Sequence, residues 1–443
     1  MDIEPDYEFD AYLQDTHGRK LLCDVKIWLP THPSEDARIE AVAMGVEADS
    51  VIFSGPLISI VTDKDVEAQG LRFEAKDVFI RRASSLLVRR KAGGTKLLIT
   101  HIGRLVIESR PAGSPSSPSS DAPKLVQFVL SDISYAIPQP LVEVDYRGNR
   151  TVHSITPTVL RIFQKNGAIF EFEFDRDWSW RKESRSRISA ASFPVLNLLE
   201  PEKHSEIASS KLASIADDVC ILLSLAARHR VVVHAEVTIQ KPVIIKEWRY
   251  PLARLRATTE EEADGSLIDS KDIDDYFSTA SKTWCGLNNK QHDAIRLAIF
   301  SLHPTSGRTI EAKFIDMFFA LENIEKAFGS SNKPHLRDRM EYLFEQYPVF
   351  NNRLRLWPLF SSSNDISLYW LRNELAHGGE HRQTMPRALV IASNHLQLWI
   401  ERLLLSLLGF TYRTHHNERL YSRMLRQQDS IAKIQEELRT KIS

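Results

Sequence analysis

Cysteine is scarce in this chain, and its few thiols lie far apart. Only three occur among 443 residues, at Cys23, Cys220 and Cys285. None has a partner at the close spacing of a metal-binding or redox motif. This predicts a reducing compartment, in which the thiols serve as small buried residues. We therefore expect a cytoplasmic protein.

An excess of charge of one sign and a long apolar run are also lacking. The 57 basic and 58 acidic residues leave a formal net charge of −1, so any nucleic-acid binding must come from a local patch. No apolar run reaches the roughly 18 residues of a membrane span. The longest, residues 398–410, is broken by Glu401 and Arg402 and predicts a buried helix. The acidic N-terminus lacks the apolar core of a signal peptide, so we expect no membrane partner.

The first half of the chain is β-rich and the last part is helical. Short runs rich in β-branched and aromatic residues, separated by turn residues, predict antiparallel strands at 21–29, 86–90, 96–109, 125–131 and 168–174. The fold class expected is α+β multidomain. A β-rich, sandwich-like domain over residues 1–255, with a barrel-like closure as the alternative, precedes an all-α helical bundle. The Pro/Ser/Gly-rich segment 111–123 predicts a flexible loop.

The polar, acidic segment 256–272 predicts a linker between the two domains, and residues 273–443 predict the helical domain with a core at about 307–412. Apolar spacing, capping residues and terminal glycines or prolines predict helices at 309–329, 334–348, 361–379, 386–410 and 416–440.

The helix predicted at 361–379 carries the most suggestive residues. Its end, "LRNELAHGG" (371–379), contains Arg372, Asn373 and His377. Residues i and i+4 share a helix face, so Asn373 and His377 lie on one side. Arg372 stands about 140° from His377 on a straight helix. Convergence of the two requires unwinding at the glycines or a second copy across a two-fold axis.

The chemistry of these side chains suits RNA cleavage and favours the second copy. Attack of an RNA 2′-OH on the adjacent phosphate needs a base, an acid and positive charge beside the phosphoryl oxygens. Histidine can perform either proton transfer near neutral pH, and arginine binds phosphate oxygens bidentately. A dimer supplies two histidines and two arginines.

The motif Arg372-Asn373-x3-His377 resembles the Arg-x4–6-His motif of HEPN-domain ribonucleases, including their polar residue after the arginine. The segment "FFALENIEKAFG" (318–329) is similar to the first long helix of the Apea-like HEPN group. The β-rich front resembles the ApeA-type N-terminal domain that often precedes it. The resemblance is sharpest at 309–410 and only architectural before residue 200.

The resemblance implies a metal-independent endoribonuclease without cofactors. Arg372 and His377 would be its catalytic pair and Asn373 would support them by hydrogen bonding. Glu322 would face the site, although Glu325 lies nearer the centre of the apolar stripe. The partners implied are RNA, with tRNA among the candidates, and a second copy in a homodimer or higher even oligomer.

The biological role implied is that of an antiphage, abortive-infection toxin. Its N-terminal domain would act as a sensor or regulator that responds to a phage-derived trigger. The alternative is a catalytically inactive HEPN dimerisation or binding module, in which His377 only interacts with the last carbonyls and the dipole of its helix.

A second candidate for RNA contact is the segment 175–187, which we expect to be a loop. Tryptophan and cationic side chains alternate there, and together they suit stacking and charge contacts with single-stranded RNA. The candidates are Trp178, Trp180, Arg181, Lys182 and Arg185. The alternative is a solvated surface with one tryptophan anchored in the core. No metal site is expected, because His229 and His234 have no carboxylate or cysteine at ligand spacing.

Overall fold

The structure is a computed structural model of the chain. It describes residues 5–14, 20–29, 37–44, 58–62, 66–67, 70–86, 94–110, 125–131, 142–144, 150–152, 158–184, 187–204, 207–240, 243–249, 266–268, 272–303, 309–329, 333–349, 356–360, 366–377, 386–411 and 431–440. The predicted loop at 111–123 lies outside these residues.

The chain divides into two compact units, and each unit is assembled from three segments. Unit 1 comprises Met1–Asp132, Phe172–Asp217 and Val232–Ala257, and unit 2 comprises Ile133–Glu171, Asp218–Val231 and Thr258–Ser443. This differs from the predicted contiguous division at residue 255, because residues 133–171 and 218–231 belong with the helical part. Composition did not reveal those two segments, because each is short and continues a strand or a helix that starts or ends in the other unit.

The strands of the molecule are β1 (Tyr7–Gln14), β2 (Lys20–Trp28), β3 (Arg38–Met44), β4 (Ile58–Thr62), β5 (Leu71–Leu86), β6 (Gly94–Ser109), β7 (Leu125–Leu130), β8 (Val142–Val144), β9 (Arg150–Val152), β10 (Thr158–Phe163), β11 (Ile169–Ser184), β12 (Arg187–Leu198), β13 (Val233–Gln240) and β14 (Val243–Arg249). The predicted strand at 86–90 corresponds to the end of β5 at Leu86, and its remaining residues are outside the described chain.

Unit 1 is built from antiparallel strands, and the first six of those described close into a ring. Strand β1 pairs with β2 and β4, β2 with β3, β3 with β6, and the β5–β6 pairing closes the circuit through β4. Closure removes the free edges that a sheet otherwise exposes. The mixed α+β class is confirmed, and for these strands the pairing follows the barrel-like alternative.

Strand β6 is long enough to pair with two groups of strands. Its first part pairs with β3, and its last part, from Arg104 to Ser109, pairs with β14. From β14 the sheet continues through β13, β7 and β12 to β11. Alternation of buried and exposed residues explains the inner face of the ring, and its packing includes Phe9 and Phe73, whose ring centroids lie 5.1 Å apart.

The helices described are α1 (Ser209–Ala227), α2 (Ile273–Gly286), α3 (Asn289–Leu302), α4 (Ile310–Phe328), α5 (Leu336–Gln346), α6 (Leu368–His377) and α7 (Pro386–Leu407), and residues 431–440 are also helical. The predicted helices at 309–329, 334–348, 361–379 and 386–410 are thus present with shorter bounds. Of the helix predicted at 416–440, only 431–440 is described. Helices α2 and α3 were not predicted individually.

Helix α4 lies at the centre of the helical unit. It packs against α3, α5, α6 and α7. Its predicted apolar stripe is buried at Phe314, Phe318, Leu321 and Ile324, because those positions recur at helical spacing. The helix begins at Thr309, whose side chain accepts a hydrogen bond from the backbone N–H of Ala312.

The segment predicted as a linker is partly structural. Within residues 256–272, Leu267 and Ile268 are buried, and both backbone N–H groups donate to the Ala226 carbonyl at the end of α1, at 2.7 and 3.2 Å. Tyr276, on α2, donates to the Leu222 carbonyl at 3.0 Å. The end of α1 is therefore part of the core of unit 2 and not of a separate N-terminal domain.

Candidate active site

Helix α6 carries the predicted catalytic motif. One face of the helix is buried, whereas Arg372 and Asn373 are partly exposed. Leu368, Leu371 and Leu375 are buried on one side. The Ser367 hydroxyl caps the first turn by accepting from the backbone N–H of Trp370 at 3.1 Å. The backbone N–H of Leu368 donates to the Pro358 carbonyl at 2.9 Å. The start and orientation of the helix are therefore firmly set.

Arg372 is held by two oxygen acceptors and one aromatic ring. Its Nη2 donates to Oε1 of Glu322 at 3.1 Å, and its Nη1 donates to Oδ1 of Asn373 at 3.1 Å. Its guanidinium carbon lies 5.8 Å from the centre of the Phe319 ring, within cation–π range. Helix α4 supplies Glu322 and Phe319, and α6 supplies Arg372 and Asn373, all within unit 2.

The ion pair leaves Arg372 with capacity to bind a ligand. The side chains of Arg372 and Glu322 are 19% and 17% exposed. A guanidinium carries five N–H donors, and the two hydrogen bonds with Glu322 and Asn373 occupy two of them. Among the described residues, no acceptor is seen for the other three donors. They belong to a guanidinium whose orientation is already set.

The structure distinguishes between the two carboxylates considered on α4. Glu322 contacts Arg372, whereas Glu325 is buried and accepts from Nε of Arg339 on α5 at 3.0 Å. The same Arg339 also donates to the carbonyls of Lys333 and Pro334. Glu325 therefore fastens α5, and the catalytic roles of Glu322, Arg372 and Asn373 stay predictions.

His377 is the last residue of α6. Its side chain lies outside the described part of the structure, so its convergence with Arg372 stays a prediction.

The looser spacing of Arg-x4–6-His also fits Arg228 with His234 and Arg296 with His303. Of these two arginines, Arg228 is buried against Glu401 and Arg296 pairs with Asp218 at 2.7 Å. Among the described residues, neither has an exposed aromatic ring beside it as Arg372 has, and the Trp284 ring near Arg296 is buried.

The expectation of a loop at residues 175–187 is wrong. Most of the segment continues β11, which pairs with β12 with Trp178 opposite Ser192 and Arg181 opposite Ser189. A long hairpin satisfies the backbone groups that a loop would leave to solvent. Trp178, Trp180, Arg181 and Lys182 lie in the strand, and Arg185 lies outside the described residues. RNA contact by this segment stays a prediction.

A buried polar cluster in unit 2 was not predicted. Arg228 donates to both carboxylate oxygens of Glu401, from Nε at 2.9 Å and from Nη2 at 2.6 Å, and Gln397 donates to Glu401 at 2.8 Å. The side chains of the pair are 4% and 0% exposed. The only signal for the cluster was the charge that interrupts the apolar run 398–410.

Two further ionisable side chains, His303 and Lys313, lie in the electrostatic range of this cluster. Burial lowers the pKa of His303 well below its ordinary value, and the charges of His229, Lys313 and Arg228 lower it further. Burial also lowers the pKa of Lys313, an effect that Glu401 opposes. Burial therefore favours a neutral imidazole at His303.

The comparison with protein-family models, with curated proteins and with solved structures gave no match. The resemblance to HEPN ribonucleases therefore rests on the motif and the helices around it. Within the described residues, no group of three or more His, Cys, Asp or Glu side chains comes together as a metal site requires. Similarly, none of the described helices is long and apolar enough to span a membrane.

Proposed function

We propose that the protein is a metal-independent endoribonuclease of the HEPN kind. The observation that carries the proposal is the position of Arg372, five residues before His377. Glu322 and Asn373 orient its guanidinium, and among the described residues no acceptor is seen for three of its donors. A guanidinium prepared in this way suits the phosphoryl oxygens of a transferring phosphate.

The proposed reaction is attack of an RNA 2′-OH on the adjacent phosphorus. His377 of one protomer takes the hydroxyl proton and the equivalent histidine of the second protomer protonates the departing 5′-oxygen. Arg372 neutralises the charge that builds on the phosphoryl oxygens. The products are a 2′,3′-cyclic phosphate, or its hydrolysed form, and a 5′-OH. DNA cannot react because it lacks the 2′-OH.

The remaining parts of the proposal concern architecture and role. Unit 2 would be the HEPN bundle, and the β-rich unit 1 an ApeA-type sensor or regulator. The enzyme would act in the cytoplasm as a homodimer or higher even oligomer. There it would cut host or phage RNA after a phage-derived trigger and arrest growth as an abortive-infection toxin. The motif resemblance supports this role, and the ring of strands in unit 1 provides a separate body for recognising a trigger.

The experiment is incubation of purified protein with total RNA in the presence of EDTA, followed by sequencing of the new ends. Wild-type protein should produce ends with 5′-OH and cyclic phosphate, and His377→Ala and Arg372→Ala should lower the rate about 10²- to 10⁴-fold. The matched controls are His335→Ala, at the exposed residue just before α5, and Arg387→Ala, at an exposed position on α7. Both should cut like wild type. Cutting that EDTA abolishes, or that survives His377→Ala, contradicts the proposal.

A second function is favoured by the ion pair itself. Glu322 places a negative charge beside Arg372, which weakens attraction to phosphate, as expected in an inactive HEPN dimerisation or binding module. Growth of cells expressing the protein separates the two. A ribonuclease should impair growth, and Arg372→Ala should relieve the impairment while the protein stays folded and oligomeric. Loss of folding in that variant would favour the structural role.

A further inference from the structure

Phe319 is the unusual residue beside the proposed site. Its side chain is 48% exposed, more than any other large hydrophobic side chain in the described part of the structure. It lies on α4 one turn before Glu322 and contacts the guanidinium of Arg372. An exposed phenyl ring fixed against an oriented cation is the pairing with which proteins hold unpaired bases and their phosphates.

The surroundings of the ring favour a nucleobase over a protein partner. The residues one turn away on α4 are Ile315, Asp316, Glu322 and Asn323, of which three are polar or charged. The core of a protein interface is depleted in charged residues, and a single ring surrounded by carboxylates does not provide such a core. A base stacks on the ring with its flat face and leaves its polar edges for neighbouring side chains.

The geometry points to Phe319 as a stacking platform for one unpaired base of the RNA substrate, next to the phosphate that Arg372 binds. This inference rests on the proposed function and makes the substrate class single-stranded RNA, because a base inside a duplex cannot reach the ring. Phe319 is thus a positioning residue that places the scissile phosphate without taking part in proton transfer.

The test compares cleavage of a single-stranded oligoribonucleotide by wild type and variants at Phe319. Phe319→Ala should raise KM about tenfold to a hundredfold, the range for loss of one stacked base, with a smaller change in kcat. Phe319→Tyr keeps the ring and should restore KM to within about threefold. Val390→Ala is the matched control, because Val390 is 47% exposed but lies on α7. This control should cut like wild type.

A set of oligonucleotides that each lack one base identifies the stacked nucleotide. At one position, removal of the base should weaken binding by the His377→Ala protein about as much as adding Phe319→Ala to that protein does, and the two losses should not add. Additive losses at every position would overturn the inference. Binding is followed by fluorescence anisotropy with His377→Ala, which should not cut.

The outcomes separate this inference from the proposed function. Wild-type protein that cuts RNA with a KM unchanged by Phe319→Ala overturns the stacking role and keeps the nuclease. Protein that binds RNA through Phe319 without cutting keeps the platform and overturns the nuclease. Dissociation of the oligomer by Phe319→Ala, measured by light scattering, would overturn the inference in favour of a protein interface.

Discussion

Arg228 shows at the residue scale how a side chain outweighs a backbone preference. It follows the last residue of α1 with a φ of 57°, a left-handed conformation that costs most residues about 1 kcal/mol and glycine nothing. Glycine is the usual residue at this position after a helix. Arginine occupies it because only its side chain can meet both oxygens of the buried Glu401.

We predict that Arg228→Gly destabilises the helical unit despite relieving this strain. Removing one partner of a buried pair costs about 3–5 kcal/mol, so about 2–4 kcal/mol of destabilisation should remain after the backbone gain. Urea unfolding measures it. Arg296→Ala is the control, because its pair with Asp218 is 37% and 16% exposed and should contribute about 1 kcal/mol or less. An Arg228→Gly variant as stable as wild type would contradict the prediction.

His395 predicts a specific loss of stability in acid. Its side chain is fully buried, its Nδ1 accepts from the backbone N–H of Trp357 at 3.0 Å, and burial lowers its pKa to about 3. The unfolded chain takes up a proton below the ordinary pKa of 6.5, whereas the folded chain does not. Stability therefore falls as the pH drops from 6.5 towards 3, by about 1.4 kcal/mol per pH unit.

The variant His395→Asn isolates this effect, because the Asn oxygen replaces the Nδ1 acceptor without a titrating ring. Between pH 6.5 and 4.5, wild type should lose about 2–3 kcal/mol more stability than the variant. Urea unfolding at several pH values checks it. Parallel pH profiles for the two proteins would contradict it. The lowered pKa of His303 acts in the same direction, so the variant should keep some acid sensitivity.

At the scale of elements, capping chemistry accounts for a helix that apolar periodicity missed. Helix α3 begins at a capping box, in which Asn288 accepts from the backbone N–H of Gln291 and Gln291 accepts from that of Asn288. The sequence pattern Asn-x-x-Gln was readable without a structure. The bounds of α4 and α7 were predictable from apolar periodicity. The apolar stripe of α4 ends at Gly329, and that of α7 begins at Pro386.

We predict that Asn288→Ala destabilises the protein by about 1 kcal/mol, because Asn288 is exposed and only its cap is lost. Asn288→Ser should retain most of the stability, since serine also caps. Thermal unfolding compares the two. Equal losses for alanine and serine would show that the side-chain hydrogen bond is not what stabilises the start of α3.

The strand within residues 175–187 was not predicted for a different reason. Alternating tryptophan and charge is compatible with a loop or with a strand, and only the pairing with β12 decides between them. The family resemblance, and not the helical pattern, pointed to Glu322 near Arg372. Phe319 was not singled out because a phenylalanine beside an apolar stripe is normally buried.

At the scale of the whole molecule, the chain changes unit five times, after Asp132, Glu171, Asp217, Val231 and Ala257. No composition shift marks the first four changes, and β11 and α1 cross the second and the third without interruption. The fold class and the helical nature of the last part were therefore predictable from sequence, whereas the segments that complete the helical unit were not.

We predict that a fragment of residues 256–443 does not fold on its own. It lacks Arg228, which pairs with Glu401, and the carbonyls of Leu222 and Ala226, which accept from Tyr276 and Leu267. A buried carboxylate without its partner is strongly destabilising. Circular dichroism should show no cooperative unfolding transition. A fragment that unfolds cooperatively like the helical part of the full chain would contradict this, and the full chain measured in parallel is the control.

The ion pair between Arg228 and Glu401 also concerns the order of events during synthesis. Its partners are 173 residues apart along the chain. At about 5–20 residues per second, the ribosome adds Glu401 roughly 9–35 seconds after Arg228. The guanidinium must wait in a nascent polypeptide without its carboxylate for that time. The bundle that carries Arg372 therefore reaches its native packing only after Glu401 has been added.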